Sequence, residues 1–286
     1  MNDAFHISQL SFTTIAIISA FFSAIANILA RTLLKDIKSK DILGINFLTM
    51  GATLVLISPL FYSFQPSLKA MALVALIGLI DTVANYFYFK TFERTEASVA
   101  TPILSLAPAF TFLFGWLFIS DTVSLHTYVF AALIIILIII FSADFKNFKQ
   151  FNAYTLTPAL IASFLFGISA IPSKYLLNNM HVINAPTLYM FRAGFIAFFA
   201  LLFFQFSISH ITIKQYRIIF GRGLIVITTW VLLYLALSRG NAGVTITLGN
   251  ITPIFVFILS MIFLREKPTL KKILASGLII VLSLII

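Results

Sequence analysis

The chain has 286 residues, of which 60 % are hydrophobic and 10 % charged, with a mean hydropathy of +1.06. That balance leaves too few polar residues to coat a soluble domain, and with no cysteine the chain has no thiolate chemistry, disulfides or cysteine-based zinc or iron–sulfur sites. The formal net charge of +10 would point to nucleic acid in a soluble protein, but here the basic residues stand at the ends of apolar runs, the pattern of membrane topology.

In chain order the sequence predicts an all-α polytopic membrane protein of ten spans, each able to cross a hydrocarbon core as a helix. The first five are Phe12–Leu34, Ile42–Phe64, Leu68–Phe89, Ala97–Ile119 and Leu125–Ala143. A polar interruption, Asp144 to Asn152, is the one internal boundary. Five more follow: Tyr154–Leu177, Thr187–Ile208, Ile218–Leu237, Ala242–Leu264 and Leu270–Ile286. The first span, which lacks a basic leader and a small-residue cleavage site, is expected to be retained. Short connections make successive helices antiparallel neighbours.

The chain contains one stretch twice. Ala97 to Ser124 (ASVATPILSLAPAFTFLFGWLFISDTVS) aligns without gaps on Ala242 to Thr269 (AGVTITLGNITPIFVFILSMIFLREKPT) at an offset of 145. Pro108 matches Pro253, Phe110, Phe112 and Phe118 match Phe255, Phe257 and Phe263, and Asp121 matches Glu266. At an offset of 143, Arg31 falls opposite Lys174 and Gly51 opposite Gly194. The units are residues 12–143 and 154–286, five spans each. An odd number of spans inserts the second copy upside down, so the expected architecture is two inverted five-helix repeats around a central cavity. Such repeats are a route to alternating access.

These residues resemble the EamA-type branch of the drug/metabolite transporter superfamily. The likeness lies in the two five-helix halves, each with a proline in its fourth span and a carboxylate closing it. It also lies in the ending FLREKPTLKKILASGLIIVLSL with Gly277 midway along the last span, and in Arg192. The resemblance covers nearly the whole chain and is specific for fold, not for substrate. In the first half the sequence departs from the family pattern, with Asp121 for glutamate, Ile119–Ser120 for Leu-Gly and Thr49 opposite Arg192. The resemblance implies a multi-pass protein of a bacterial cytoplasmic membrane, no enzyme and no cofactor.

Basic residues of the loops after odd-numbered spans, among them Lys35, Lys90, Lys146, Lys214, Arg217, Arg222, Arg265 and Lys267, outnumber Lys69, Lys174 and Arg239 on the other face. The positive-inside rule then puts both termini outside, whereas family members more often have them inside.

Polar residues within spans carry the functional expectations, because they are costly in lipid. Asp81 lies near mid-membrane with Asn85 one turn on, and is the proton-coupling candidate. It could equally pair with a cationic group of the substrate, or lock helix packing as a hydrogen-bonded side chain. Asn27, Asn46, Asn85, Ser169, Tyr189, Arg192, Thr247 and Asn250 are cavity candidates, with helix packing as the alternative. Arg192 would bind a substrate carboxylate or snorkel to the interface. Pro108 and Pro253 would each free a carbonyl within a helix and provide a hinge.

The four histidines and the acids show no metal-ligand spacing within a helix, and there is no phosphate-binding glycine loop. The expected function is secondary transport of a small metabolite, an amino acid or related amphipathic compound being exported, with or without protons. An uncoupled facilitator or exchanger, and a non-transporting membrane protein, are the alternatives. The expected partners are a small-molecule substrate and the lipid bilayer, with no nucleic acid; the sequence assigns no oligomeric state.

Overall fold

An apolar chain in a medium without water has to close its backbone hydrogen bonds within each segment, and helices do so. The computed structural model describes residues 10–34, 36–94, 103–142, 153–207, 209, 211–264 and 270–285. Of the repeat positions, Ala97, Val99 and Glu266 lie outside the described residues, as do the Asp144–Asn152 boundary and the side chain of Arg31.

Eleven α-helices occur among the described residues. They are α1 (Phe12–Leu33), α2 (Ser39–Ile57), α3 (Leu68–Arg94), α4 (Ala107–Ile119), α5 (Leu125–Ser142), α6 (Ala153–Lys174), α7 (Ala185–Phe204), α8 (Ile213–Leu237), α9 (Ala242–Gly249), α10 (Thr252–Leu264) and α11 (Leu270–Ile285). A π-turn, Tyr175–Asn179, extends α6. Seven stretches are long and apolar enough to cross a membrane: α1, α2, α3, α7, α8, the α6 region Thr157–Asn179, and Ala242–Leu259 taken across α9 and α10. Ala107–Ile119 and Leu125–Ile140 are shorter apolar helices. Large apolar side chains such as Leu56, Leu117, Phe118, Leu201 and Leu202 point outward, as lipid-facing residues should.

Polar side chains mark several helix starts. Ser11 accepts from Thr14 N, Asn184 from Thr187 N and Asn241 from Val244 N, each satisfying a donor with no partner in the helix. Thr212 and Gln215 form a capping box at the start of α8. This cap corrects the expected bounds of the eighth span. The helix begins at Ile213 rather than Ile218, so Lys214 and Arg217 belong to it and not to a loop, and Arg222, counted with the loop cations, is well inside it.

The ninth span is two helices. α9 ends at Gly249 and α10 starts at Thr252. A break of this kind strips carbonyls of their intrahelical donors. Thr252 Oγ1 donates to Gly249 O at 2.9 Å, the carbonyl that Pro253 cannot reach with an N–H, while Ile246 O keeps the Asn250 N–H at 3.0 Å and also accepts from Asn250 Nδ2 at 2.8 Å. At the matching place in the fourth span, residues 105–106 form a turn before α4 begins. Pro253 and Pro108 therefore both stand in the first turn of a second half-helix. This corrects the expectation of a proline within a continuous helix. At that position the missing N–H would have had no helical acceptor, so proline costs no hydrogen bond.

The packing pairs obey an exchange. α1 packs on α8 as α6 packs on α3, α4 on α6 as α9 and α10 on α1, and α3 on α7 as α2 on α8. α2 also packs on α7 and α5 on α11, pairs that the sequence offsets would match. The α2–α7 crossing is close because both sides are glycine: a Cβ on Gly51 would stand 3.5 Å from Gly194 N.

Candidate functional site

The cavity of interest, about 230 Å³, lies between α1, α2, α3, α6 and α8 and the two helix breaks. Ser105 and Ala107 from one break, and Asn250, Thr252 and Pro253 from the other, form part of its wall. An aromatic part of the remainder comes from Tyr88, Phe89, Phe92, Phe166, Trp230 and Tyr234, among small, aliphatic and polar residues. A small apolar cavity with a few converging polar groups is the usual form of a metabolite site.

At one level of the cavity stands Asp81, held by α3. Its Oδ2 accepts from Nε of Arg192 on α7, and both side chains are 1 % exposed. The guanidinium carbon of Arg192 lies 3.7 Å from the centre of the Trp230 ring, with Tyr189 at 5.5 Å and Tyr234 at 5.8 Å. Arg192 is thus clamped behind the aromatic wall rather than presented to the cavity. Among the described residues, Asp81 Oδ1 and both terminal nitrogens of Arg192 have no hydrogen-bond partner. Only one arm of the pair is satisfied, which leaves it open to rearrangement.

The second charged level belongs to Arg222 of α8. Its Nε donates to Ala26 O at 3.1 Å and its Nη1 to Asn46 Oδ1 at 2.8 Å, tying α8 to α1 and α2. Its guanidinium carbon is 5.6 Å from the Phe89 ring centre. Nearby, Tyr88 donates its hydroxyl to Asn27 Oδ1 at 2.9 Å. Asn85 Nδ2 donates to Asp81 O at 2.8 Å, back along its own helix.

At one end of the bundle Lys174 bridges two segments. Its Nζ lies 3.1 Å from Asp121 Oδ2 and also donates to Gly240 O. Asp121 Oδ2 in turn accepts from Ala242 N at 2.7 Å, at the start of α9. A carboxylate there meets an unpaired N–H and the positive end of the helix dipole together. This contact joins the end of α4, the end of α6 and the α8–α9 turn.

Of the residues expected at a cavity, Asn27, Asn46, Asp81, Asn85, Ser169 and Asn250 line it, with Pro253 beside them. Tyr189, Arg192 and Thr247 are not among the lining residues. Tyr189 is buried and stacked on Trp230. Arg192 is in the interior, neither snorkelling nor in the lining. Thr247 turns its hydroxyl to Gly243 O of its own helix at 2.8 Å. Sequence reasoning missed Arg222, which it counted among the loop cations although the expected span Ile218–Leu237 contains it. The signal was its position within an apolar span, where a charged residue is costly in lipid.

Fold and site together define a polytopic helical membrane protein with an internal, partly charged cavity. The chain belongs to the EamA-like transporter family, whose sequence profile matches it twice, over residues 11–143 and 154–286. Among curated proteins, none matches it in sequence. A solved structure described only as "Crystal structure of protein" is similar over 95 % of this chain and 93 % of that one, with a TM-score of 0.73. At 15 % identity this likeness concerns the fold alone.

Proposed function

We propose that this protein is a secondary transporter that moves a small amphipathic metabolite, an amino acid or a relative of one, by alternating access. The observation that carries the reading is the cavity wall. It is built from helix breaks at corresponding places of two similar halves, which supports inverted repeats of residues 12–143 and 154–286. The exchange of packing partners and the Gly51–Gly194 crossing support the same ten-span arrangement. Interrupted helices meeting at a midplane site recur in transporters, because half-helix ends supply polar backbone there. In this reading Pro108 and Pro253 fix where each span bends.

The Lys174–Asp121 contact closes one end in the present conformation. Export from a bacterial cytoplasmic membrane is our assignment of direction, and the excess of basic residues in the odd-numbered loops favours termini outside.

Coupling has two versions. Asp81, charged and in the cavity wall, is the group to carry a proton in a coupled mechanism. Its ion pair with Arg192 favours the second version, an uncoupled facilitator or exchanger in which the pair is structural. Counterflow in proteoliposomes tests the reading: an internal load of unlabelled amino acid should draw in the labelled compound. Protein-dependent flux no faster than that of empty liposomes, over a broad metabolite panel, would contradict it.

A further inference from the structure

We propose that Arg222 anchors a carboxylate of the transported molecule, and that the cargo is an amphipathic organic anion whose apolar body lies along the aromatic wall toward Trp230. The proposal rests on the transport reading above and deepens it, since it gives the cavity a charge preference.

The first support is a charge imbalance. The groups at the cavity are one acid, Asp81, and two guanidinium groups, Arg192 and Arg222. Arg192 is matched by Asp81. Arg222 takes part in no ion pair among the described residues, and the oxygens that meet it, Ala26 O and Asn46 Oδ1, are neutral. It is 5 % exposed and in the cavity lining. A buried charge without a counter-charge is strongly disfavoured, and an entering anion relieves it.

The second support is directional. Nε and Nη1 are used, while Nη2 donates to no described residue. The planar fork of a guanidinium is matched in shape by a carboxylate. A single unbalanced cation balances a single negative charge, which favours a carboxylate over a doubly charged phosphate ester.

The third support is spacing. Asp81 and Phe89 are eight residues apart on α3, and Trp230 and Arg222 eight apart on α8, so each helix separates the two charged levels by ~12 Å. The ammonium and carboxylate of an α-amino acid are joined through one carbon and cannot reach both levels. The body of the cargo fills the interval, against Phe89, Phe92 and Tyr88. Its charge is read at Arg222 alone.

The test is an isosteric series with one apolar body: 3-phenylpropionate, 3-phenylpropionamide and 3-phenylpropylamine. Binding to the purified full-length protein is read as a concentration-dependent rise in unfolding temperature. The carboxylate should raise it, and the amide and amine should not. Arg222→Gln should abolish the shift, and Arg222→Lys should weaken affinity tenfold or more while keeping the preference for the anion. Equal shifts from amide or amine, no shift from any of the three, or an undiminished carboxylate response in Arg222→Gln would each overturn the proposal. If Arg222→Gln does not fold, the wild-type series and Arg222→Lys decide it. Flux is read separately. Arg222-dependent binding of 3-phenylpropionate without its passage into proteoliposomes would leave this proposal standing and remove the transport reading. Passage of the amine alone would do the reverse.

Discussion

Gly51 lies against Gly194, and the two occupy the same place in the two halves of the sequence. A Cβ on Gly51 would stand 3.5 and 3.6 Å from Gly194 N and Cα, whereas a Cβ on Gly194 would meet nothing within 4 Å. A residue touching its own counterpart marks a point where α2 and α7 cross on equal terms, and small residues there let two helices approach closely.

Substitutions at this crossing should therefore be graded. Gly51→Ala and Gly194→Ala place a methyl group at ordinary contact distance or in open space, and should leave thermal unfolding in detergent nearly unchanged. Gly51→Leu forces the helices apart and should cost about 1–3 kcal/mol. A lower unfolding temperature for the leucine variant alone is the expected result.

Breaking the buried pair should be more severe than removing it. Asp81→Asn leaves Arg192 charged and unmatched, at a cost of about 3–5 kcal/mol, as does Arg192→Gln in the opposite sense. The double variant Asp81→Asn/Arg192→Gln removes both charges and should recover much of the loss. Thermal unfolding of the four proteins gives the coupling energy directly. The same double variant separates the two versions of transport. Wild-type accumulation driven by a pH gradient would rule out Asp81 as the proton carrier, and loss of accumulation with counterflow retained would support it.

Asp121→Ala removes the partner of Lys174 and the acceptor of Ala242 N. Charge-assisted contacts of this kind contribute about 2 kcal/mol, so unfolding should shift downward. Asp121→Asn, which retains an acceptor but not the charge, should fall between the two.

Orientation is tested by reporters. With Arg222 removed from the loops, the odd-numbered side still carries most of the basic residues. A cytoplasm-only reporter fused after Ile286 should give little signal, and one inserted in the 144–152 segment a strong one. The opposite pattern would mean that the family tendency, termini inside, prevails over the charge bias.

The helical character and the duplication were legible in the sequence because both depend on residue type alone: long apolar runs, and proline with aromatics in one register. Some of the polar residues of the cavity wall were expected from the sequence for a related reason. Asn27, Asn46, Asn85, Ser169 and Asn250 are polar residues inside apolar runs, and a cavity is where such residues collect. The rest depends on partners distant in sequence. Tyr189 is no more polar than Tyr88, but Trp230 and Met50 enclose it while Tyr88 reaches Asn27. Arg192 became interior because Asp81, 111 residues away, is there to meet it. Arg222 was counted with the loop cations although it lies inside the expected span Ile218–Leu237, because a basic residue near a span end reads as topology until its partners, Ala26 O and Asn46 on other helices, are seen.

Alternating access makes one demand that no static pore or structural protein shares: the same cavity residue must face each side of the membrane in turn. The chain has no cysteine, so a single introduced thiol is unambiguous. Ser169→Cys is nearly isosteric and lies in the cavity wall. In vesicles of defined orientation, a membrane-impermeant maleimide should label it when applied from either side, with a transported cargo slowing the reaction from both. Labelling confined to one side under every condition, with or without cargo, would contradict the account.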